Sequence, residues 1–337
     1  MNLFHHNKDF DFVAIGDITT DAFIRLTDAK TICDVDGKKC ELALRFGDKV
    51  PYEFMEEVRA VGNSPNAAVA ARRLGLTSAL VTNTGDDHNG EECRATLSKE
   101  GVHTDFVSVH KDKETNYHYV LWFEEDRTIL VKHHEYDYQF PDIGNPKWIY
   151  LSSLGENTAE YHKQIAEYLR KNNLVKFAFQ PGTFQIKMGL DILADLYARA
   201  DLFFCNVEEA KKILNKPEEK DTKKLLREMH DVGPNVVVIT DGPKGAYAYD
   251  GFEGFFMPSF PDAKPPYDRT GAGDAFSSTF TSAIALGRSL FDAFLWSPVN
   301  SMSVVQKIGA QKGLLTQEEI LKHLAHAPEN YKPQKII

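Results

Sequence analysis

Apolar positions along this chain fall into short runs, with helical periodicity between several of them. Phe12-Val13-Ala14-Ile15 stops at Gly16, as a buried first strand does. Runs of the same kind occupy 78–82, 147–151, 175–179, 202–205 and 236–240, with a shorter one at 246–249. Helical stretches follow some of these: Asn66 to Leu74, Ala-rich and closed by Gly75, then Glu91 to Glu100, then Thr158 to Lys171. Strand–helix alternation predicts a mostly parallel sheet with helices on both faces. Further on, Ala275 to Leu286 reads as a long buried helix. Asn300 to Lys307 continues a helix until Gly309-Ala310 breaks it. Thr316 to Ala325 reads as a surface helix, and the tail from Pro328 to Ile337 as extended chain.

Two tracts break this rhythm. Ala22 to Val61 holds β-rich pieces (Ala22 to Leu26, Cys40 to Phe46) and turn signals at Asp36-Gly37 and Gly47-Asp48. Glu114 to His134 holds two more, 117–123 and 128–132, around the turn-like Glu124-Glu125-Asp126-Arg127. A structureless loop as long as the first tract would be out of place in a compact domain. Both tracts therefore predict strands that stand outside the main alternation.

Composition narrows the picture. A chain of 337 residues is one large α/β domain or two ordinary ones, with room for a sizeable core. A formal charge of −10 argues against nucleic-acid or membrane-surface partners. It also means that any anionic ligand must be held by local donors and a metal ion. The four cysteines, Cys33, Cys40, Cys93 and Cys205, show no CxxC spacing, which sets zinc aside. Cys33 and Cys40 could bridge a loop in an oxidising compartment, but free thiols in a cytosolic protein are the expected state. Met1 to Phe12 carries His and Asp where a signal peptide needs an apolar core. No apolar run approaches the roughly 20 residues of a membrane span. The expectation is a soluble, cytoplasmic protein.

The candidate chemistry centres on Asp268-Arg269-Thr270-Gly271-Ala272-Gly273-Asp274-Ala275-Phe276. Gly271, Ala272 and Gly273 at a helix start leave backbone N–H groups without intrahelical partners. With the helix dipole, these make a pocket for an anion such as a phosphoryl group in transit. Asp274, in the same first turn, could accept a proton from an attacking hydroxyl. A tight turn with an acidic first-turn residue is the plainer reading of the same stretch. Asp17 and Asp21 follow the first strand, where open α/β sheets place ligand-binding groups, and a carboxylate can accept from two adjacent hydroxyls. For Asp17 a turn or cap role stands beside substrate contact. Asn206 and Glu209 have capping-box spacing. There is neither a Walker A sequence nor a Gly-x-Gly-x-x-Gly fingerprint, so phosphate binding falls to Gly271–Gly273 and its neighbours.

The stretch from Asp268 to Phe276 resembles the C-terminal signature of the ribokinase-like (PfkB) family of carbohydrate and nucleoside kinases. Gly62-Asn63-Ser64-Pro65-Asn66-Ala67-Ala68 and its continuation to Gly75 is similar to that family's N-terminal signature, and Gly85 to Gly90 resembles its Gly-x-Asp-x-x-Gly turn. The resemblance covers nearly the whole chain. It implies an α/β fold: a ribokinase-like three-layer α/β/α sandwich, one domain over 1–337, with a small β-sheet lid from about 22–61 and 114–134. It implies ATP as donor and Mg²⁺ near Glu209, through water. Asp274 would be the general base, and the Gly271, Ala272 and Gly273 amides the anion hole. Asp21, Gly62 and Asn66 would hold the acceptor, with Asp17, Asn63 and Arg269 beside them. Asn63 departs from the pattern, since many members carry a second Gly there, and Gln180 departs from the usual Asp or Asn. Asn206 and Glu209 match the family's Asn-x-x-Glu, and Thr240, Gly242 and Gly245 match its nucleotide-contacting turn. The segment from Asn300 would border the adenine pocket, with Asp268 and Thr270 as ligands for a monovalent cation, K⁺.

The activity implied is transfer of the γ-phosphoryl group of ATP to a small sugar, as in a ribokinase or fructokinase. A nucleoside kinase is the alternative, favoured by Tyr52, Phe54, Tyr117 and Tyr119 in the lid tracts. A phosphosugar kinase would need a basic cluster that the expected substrate positions lack. A non-catalytic sugar or nucleotide sensor is opposed by the intact Asp274, Gly-Ala-Gly and Glu209. Lid strands pair between subunits in this family, which implies a homodimer.

Overall fold

The computed structural model describes residues 10–34, 40–124 and 126–337. In chain order the strands and helices begin with β1 (Phe12–Ile15), β2 (Thr19–Leu26), β3 (Lys30–Cys33), β4 (Cys40–Ala43), β5 (Tyr52–Val61), α1 (Asn63–Arg73), β6 (Ser78–Gly85), α2 (His88–Lys99), β7 (Val107–His110), β8 (Tyr117–Phe123) and β9 (Asp126–Leu130). They continue with β10 (Trp148–Leu151), α3 (Ala159–Lys171), β11 (Lys176–Phe179), α4 (Thr183–Met188), α5 (Leu190–Arg199), β12 (Leu202–Asn206), α6 (Val207–Ile213), α7 (Thr222–Asp231) and β13 (Val236–Thr240). The last part holds β14 (Ala246–Tyr249), β15 (Gly254–Met257), α8 (Ala272–Ala285), α9 (Leu290–Val304), α10 (Gln317–Ala325) and β16 (Gln334–Lys335).

Among the described residues, ten strands form the central sheet, in the order β16-β15-β14-β13-β12-β11-β10-β1-β6-β7. From β7 to β13 the pairing is parallel; β14, β15 and β16 add an antiparallel edge. Strands buried on both faces read as unbroken apolar runs, and β1 shows the physical division directly. Phe12 and Ala14 join the core beneath α1, α2, α8 and α9, while Val13 and Ile15 join the core beneath α3, α5 and α7. The strand–helix alternation thus produces the three layers that it predicts.

Several expected helices are displaced at their ends; α2 and α8, like α1, begin three residues early, at His88 and Ala272. α1 begins at Asn63, three residues before the expected Asn66, because Pro65 is tolerated in a first turn where no N–H is needed. α9 stops at Val304, short of Lys307.

A second sheet, ordered β5-β2-β8-β9, stands apart from the first. It is anchored by Phe23, Val58, Val61 and Val120, with Ile308 packed against them. β3 and β4 form a separate hairpin whose register sets Cys33 opposite Cys40, and the two are joined by a disulfide. This corrects the expectation of free thiols: spacing left both states open, and hairpin register brings the sulfurs together. Cys93 and Cys205 are free and buried. The turn read at Asp36-Gly37 lies outside the described residues, as does Glu125 of the turn after β8. No helix among the described residues is long and apolar enough to cross a membrane.

Candidate active site

The C-terminal ends of β1, β11 and β12 and the N-termini of α1 and α8 converge on one region, the place where a parallel sheet presents ligand-binding groups. Two glycines make the approach close. Gly271 precedes α8 with φ +79°, and a Cβ there would lie 2.2 Å from Ala310 Cβ. Gly62 precedes α1 with φ +123°, and a Cβ there would lie 2.6 Å from the Asp17 carbonyl oxygen. Neither position accepts a side chain without displacing its neighbour.

The first intrahelical bond into this end of α8 comes from the Ala275 amide to Gly271 O. The Ala272, Gly273 and Asp274 amides ahead of it have no partner within the helix, as helix geometry requires. They border a cavity of about 370 Å³ that also receives Asn63, Arg127, Gln180, Glu209 and Asp274. A larger cavity, of about 570 Å³, shares Thr240, Arg269, Ala272, Gly273 and Phe276 with it and runs on between Phe260, Pro298, Met302 and Val305. The first volume is polar and sits at a helix N-terminus; the second has apolar walls and the size of a nucleoside-scale pocket.

Asp274 is only 9 % exposed. It is held by three side-chain amides: Asn63 Nδ2 donates to Oδ1 at 2.8 Å, Asn66 Nδ2 to Oδ2 at 2.8 Å, and Gln180 Nε2 to Oδ1 at 3.3 Å. Burial pushes its carboxyl above the usual carboxylate range, and these three donors pull it back. Each amide is oriented in turn. Gln311 Nε2 donates to Asn66 Oδ1 at 3.0 Å and to Ala60 O at 2.7 Å. The Gln180 carbonyl accepts from the Tyr150 hydroxyl and from Ser277 Oγ, the latter at 2.9 Å. The departure at Gln180 thus becomes a direct contact to Asp274, and Asn63 and Asn66, expected at the acceptor, both reach the same carboxylate.

Asn206 caps α6. Glu209 N donates to Asn206 Oδ1 at 2.9 Å, and Asn206 N donates to Glu209 Oε2 at 2.8 Å. The same Glu209 lines the polar cavity; burial raises its carboxyl, the Asn206 backbone opposes this, and nearby Asp274 adds to the rise. Capping and cavity lining coexist in one residue. Thr240 ends β13 at the junction of the two cavities, and Gly242 and Gly245 turn the chain beneath the larger one. Arg269 is exposed and lines both.

Asp268 is buried, with Thr270 N at 2.9 Å and Thr270 Oγ1 at 2.7 Å on Oδ1 and Gly309 N at 2.9 Å on Oδ2. Asn300 is a correction. Expected beside the adenine pocket, it is fully buried in the core, donating to Thr279 Oγ1 at 2.7 Å and accepting from Leu315 N at 2.9 Å. Its neighbours Ser301 and Met302 line the larger cavity instead, because helix packing, not position in a motif, sets which side of α9 faces inward.

Asp17 and Asp21 are both buried at the foot of the second sheet. Tyr138 donates its hydroxyl to Asp17 Oδ1 at 2.8 Å, and His133 Nδ1 lies 3.7 Å from Oδ2. His118 Nδ1 lies 3.3 Å from Asp21 Oδ1. Burial pushes the Asp17 carboxyl up to about 6, against the Tyr138 hydroxyl, the Gly155 backbone and His118. His133 is pushed down to about 4 by burial and by His118 and His134, so its imidazole is neutral. Motif reading missed His118, His133 and Tyr138, and also Arg127, whose Nη1 lies 3.8 Å from Asp268 Oδ1. For His118 and Arg127 the only signal is the alternation of β8 and β9; His133 and Tyr138 lie in the irregular segment after β9 and carry none. Cross-strand register sets Trp122 opposite Arg127 and Val120 opposite Ile129, so Arg127 shares a sheet face with His118 and Asp21.

A polar cavity at a helix start, a buried carboxylate lining it and a larger adjoining cavity with apolar walls fit a phosphotransferase on a three-layer α/β scaffold. Comparison with known proteins agrees. Residues 29–317 match the family described as pfkB family carbohydrate kinase. The chain is 24% identical over 285 residues to the ribokinase of Haemophilus influenzae, covering 79% of this chain and 87% of that one. It is 24% identical over 276 residues to the nucleoside kinase of Methanothermobacter thermautotrophicus, covering 81% and 86%. Among solved structures, Arabidopsis thaliana ribokinase complexed with ribose and ATP superposes with a TM-score of 0.74 at 19% identity, over 94% of this chain and 99% of that one. The chain belongs to the pfkB family of carbohydrate kinases and is an ATP-dependent phosphotransferase with an alcohol group as acceptor.

Proposed function

We propose that the chain moves the γ-phosphoryl group of ATP to a hydroxymethyl group of a small sugar, with Asp274 as general base. The observation that carries this is the placing of Asp274: one buried carboxylate, fixed by three amides, in the first turn of a helix whose free amides face the same cavity. ATP fits with its base and ribose in the larger cavity and its phosphates toward Gly271–Gly273. The acceptor lies on the other side of Asp274, toward Asp17, Asp21 and the Gly62 turn. As the hydroxyl attacks, Asp274 takes its proton, and the helix-start amides stabilise the charge that develops on the phosphoryl oxygens.

Glu209 is the residue that would hold Mg²⁺. A carboxylate with one oxygen committed to the Asn206 amide suits an ion that keeps most of its waters and binds chiefly to phosphates. Bound there, Mg²⁺ supplies charge neutralisation for the phosphate oxygens. Arg127 reaches the same cavity from the second sheet and adds a cation opposite the helix start. We read that sheet as a lid within a single domain over 1–337, excluding water when it closes. Its outward face exposes Met55, Tyr119 and Leu130, each about half accessible, and we read this face as a homodimer surface. A monovalent cation at Asp268 and Thr270 is the further part of the reading, tested by comparing rates in K⁺ and Na⁺.

The nucleoside alternative has the Methanothermobacter relative in its favour. The aromatic argument for it weakens in three dimensions. Tyr117 and Tyr119 flank His118 in β8 and so point to the sheet face opposite Asp21, while Phe54 and Trp122 are used against each other at 6.1 Å between ring centroids. A coupled ADP-release assay with ATP and Mg²⁺ over pentoses, hexoses, sugar acids, phosphosugars and nucleosides tests the proposal. Turnover confined to sugars supports it, and turnover confined to nucleosides replaces it with the alternative.

A further inference from the structure

The polar atoms around Asp17 and Asp21 are unusual in what they lack. Asp17 Oδ2, Asp21 Oδ1, His118 Nε2 and His133 Nδ1 are all buried, and none completes a hydrogen bond among the described residues; His118 Nδ1 stands 3.3 Å from Asp21 Oδ1 and His133 Nδ1 3.7 Å from Asp17 Oδ2 without closing one. Buried polar atoms are nearly always satisfied, so four such atoms in one nook are complementary to something that binds there. The nook is also built with care. Asn116, fully buried, donates from Nδ2 to Ile18 O at 3.1 Å and accepts from His134 N at 2.8 Å. It thereby clamps the segment carrying His133 against the turn carrying Asp17. Tyr138 fixes Asp17 from behind, and Phe184 packs edge-on against the His133 ring at 5.4 Å. The His118 and His133 rings lie edge to face, 5.2 Å apart.

We propose that His118 and His133 are specificity residues which, paired with Asp21 and Asp17, hold adjacent hydroxyls of an uncharged polyol acceptor. A hydroxyl gives its proton to a carboxylate while accepting from an imidazole N–H. Two carboxylate–imidazole pairs side by side therefore match two neighbouring hydroxyls. Anionic groups are disfavoured at this end: neither Asp17 nor Asp21 has an ion pair with Lys or Arg among the described residues, their charged-type neighbours being His133 and His118. A planar base is disfavoured too, because the ring next to His133 stands edge-on. The nook connects to the reacting carboxylate on both sides. Asp17 packs on Gly62, next to Asn63, and Phe184 follows Gln180 by one short turn of chain; Asn63 and Gln180 both bond Asp274. The inference rests on the reading of this region as the acceptor site of the kinase.

The test measures binding and turnover separately. Calorimetric titration of the full chain with D-ribose, D-fructose and their single-deoxy analogues, without nucleotide, reads diol recognition alone. The coupled assay with the same compounds, ribose 5-phosphate and gluconate reads catalysis. We expect wild type to favour a full polyol over the analogue lacking one of the paired hydroxyls by about 100-fold or more. H118F and H133L should raise KM for the polyol tens-fold, change kcat far less, and reduce that discrimination to below about ten-fold. H118Q and H133Q, which keep a donor, should recover part of it, and their thermal melts separate loss of fold from loss of contact. Discrimination unchanged in folded H118F and H133L would overturn the inference. So would turnover or binding confined to the phosphate or the acid, which leaves the kinase reading intact. Diol-selective binding without turnover would support the inference and remove the kinase reading; no binding of any polyol would remove the inference.

Discussion

Removing the Arg127 guanidinium should slow phosphoryl transfer while leaving the fold in place. The side chain comes from β9 in the second sheet, whereas Asp274 and Glu209 stand on α8 and α6, and it lines the polar cavity with them. A unit charge about 4 Å from a phosphoryl oxygen is worth about 4 kcal/mol at an effective dielectric near 20. Asp268, 3.8 Å from the guanidinium, offsets part of that. A net effect of about 3 kcal/mol corresponds to a rate factor between about 10² and 10³. Loss of the ion pair itself should cost little stability, on the order of 1 kcal/mol or less, because Asp268 keeps its bonds from Thr270 and Gly309. R127A should therefore lower kcat by that factor with KM for the sugar moving only a few-fold. R127K, with charge but no planar fork, should fall between. The assay is coupled ADP release at saturating ATP and Mg²⁺, with a thermal melt on each variant. A folded R127A whose kcat stays within three-fold of wild type would refute the reasoning and return Arg127 to a purely structural role.

Other expectations follow from the same geometry. In the proposed role Asp274 must be ionised to work, and burial raises its carboxyl, so kcat/KM should fall toward acid pH on a limb above the ordinary carboxylate range. N66A removes a donor that favours the charged form and should move that limb to higher pH; an unmoved limb would separate Asp274 from the titration. G271A places a Cβ against Ala310 at a positive φ and should lower stability by about 1–3 kcal/mol, read by denaturant melts, together with activity. The outward face of the second sheet should make the protein a dimer in light scattering, with Y119K shifting it toward monomer, and a wild-type monomer would dispose of that surface.

Much of this was legible in the chain. Central strands are buried on both faces, so β1, β10, β11 and β13 show as unbroken apolar runs with no need of context. The helix-start site shows because its backbone demands glycine: Gly62 and Gly271 stand where any Cβ would collide. Arg127, His118 and His133 left no such trace. For Arg127 and His118 the meaning depends on which face of a short strand they occupy, where a one-residue slip would reverse it; His133 lies in the irregular segment after β9, held there by the bond from His134 N to Asn116. Asn300 went astray for a related reason, since its side of α9 is decided by packing against Thr279 and Leu315. Cys33 and Cys40 needed the register of a hairpin before their pairing could be read.

The most direct measurement is turnover by D274N beside wild type, over the acceptor panel, with nucleotide affinity measured on both. Wild type should release ADP with one class of sugar. D274N keeps the shape of the site and loses the proton acceptor, so turnover should drop by about 10²–10⁴, while ATP binds within a few-fold of normal. A folded D274N that turns over at near-normal rate would contradict Asp274 as the base.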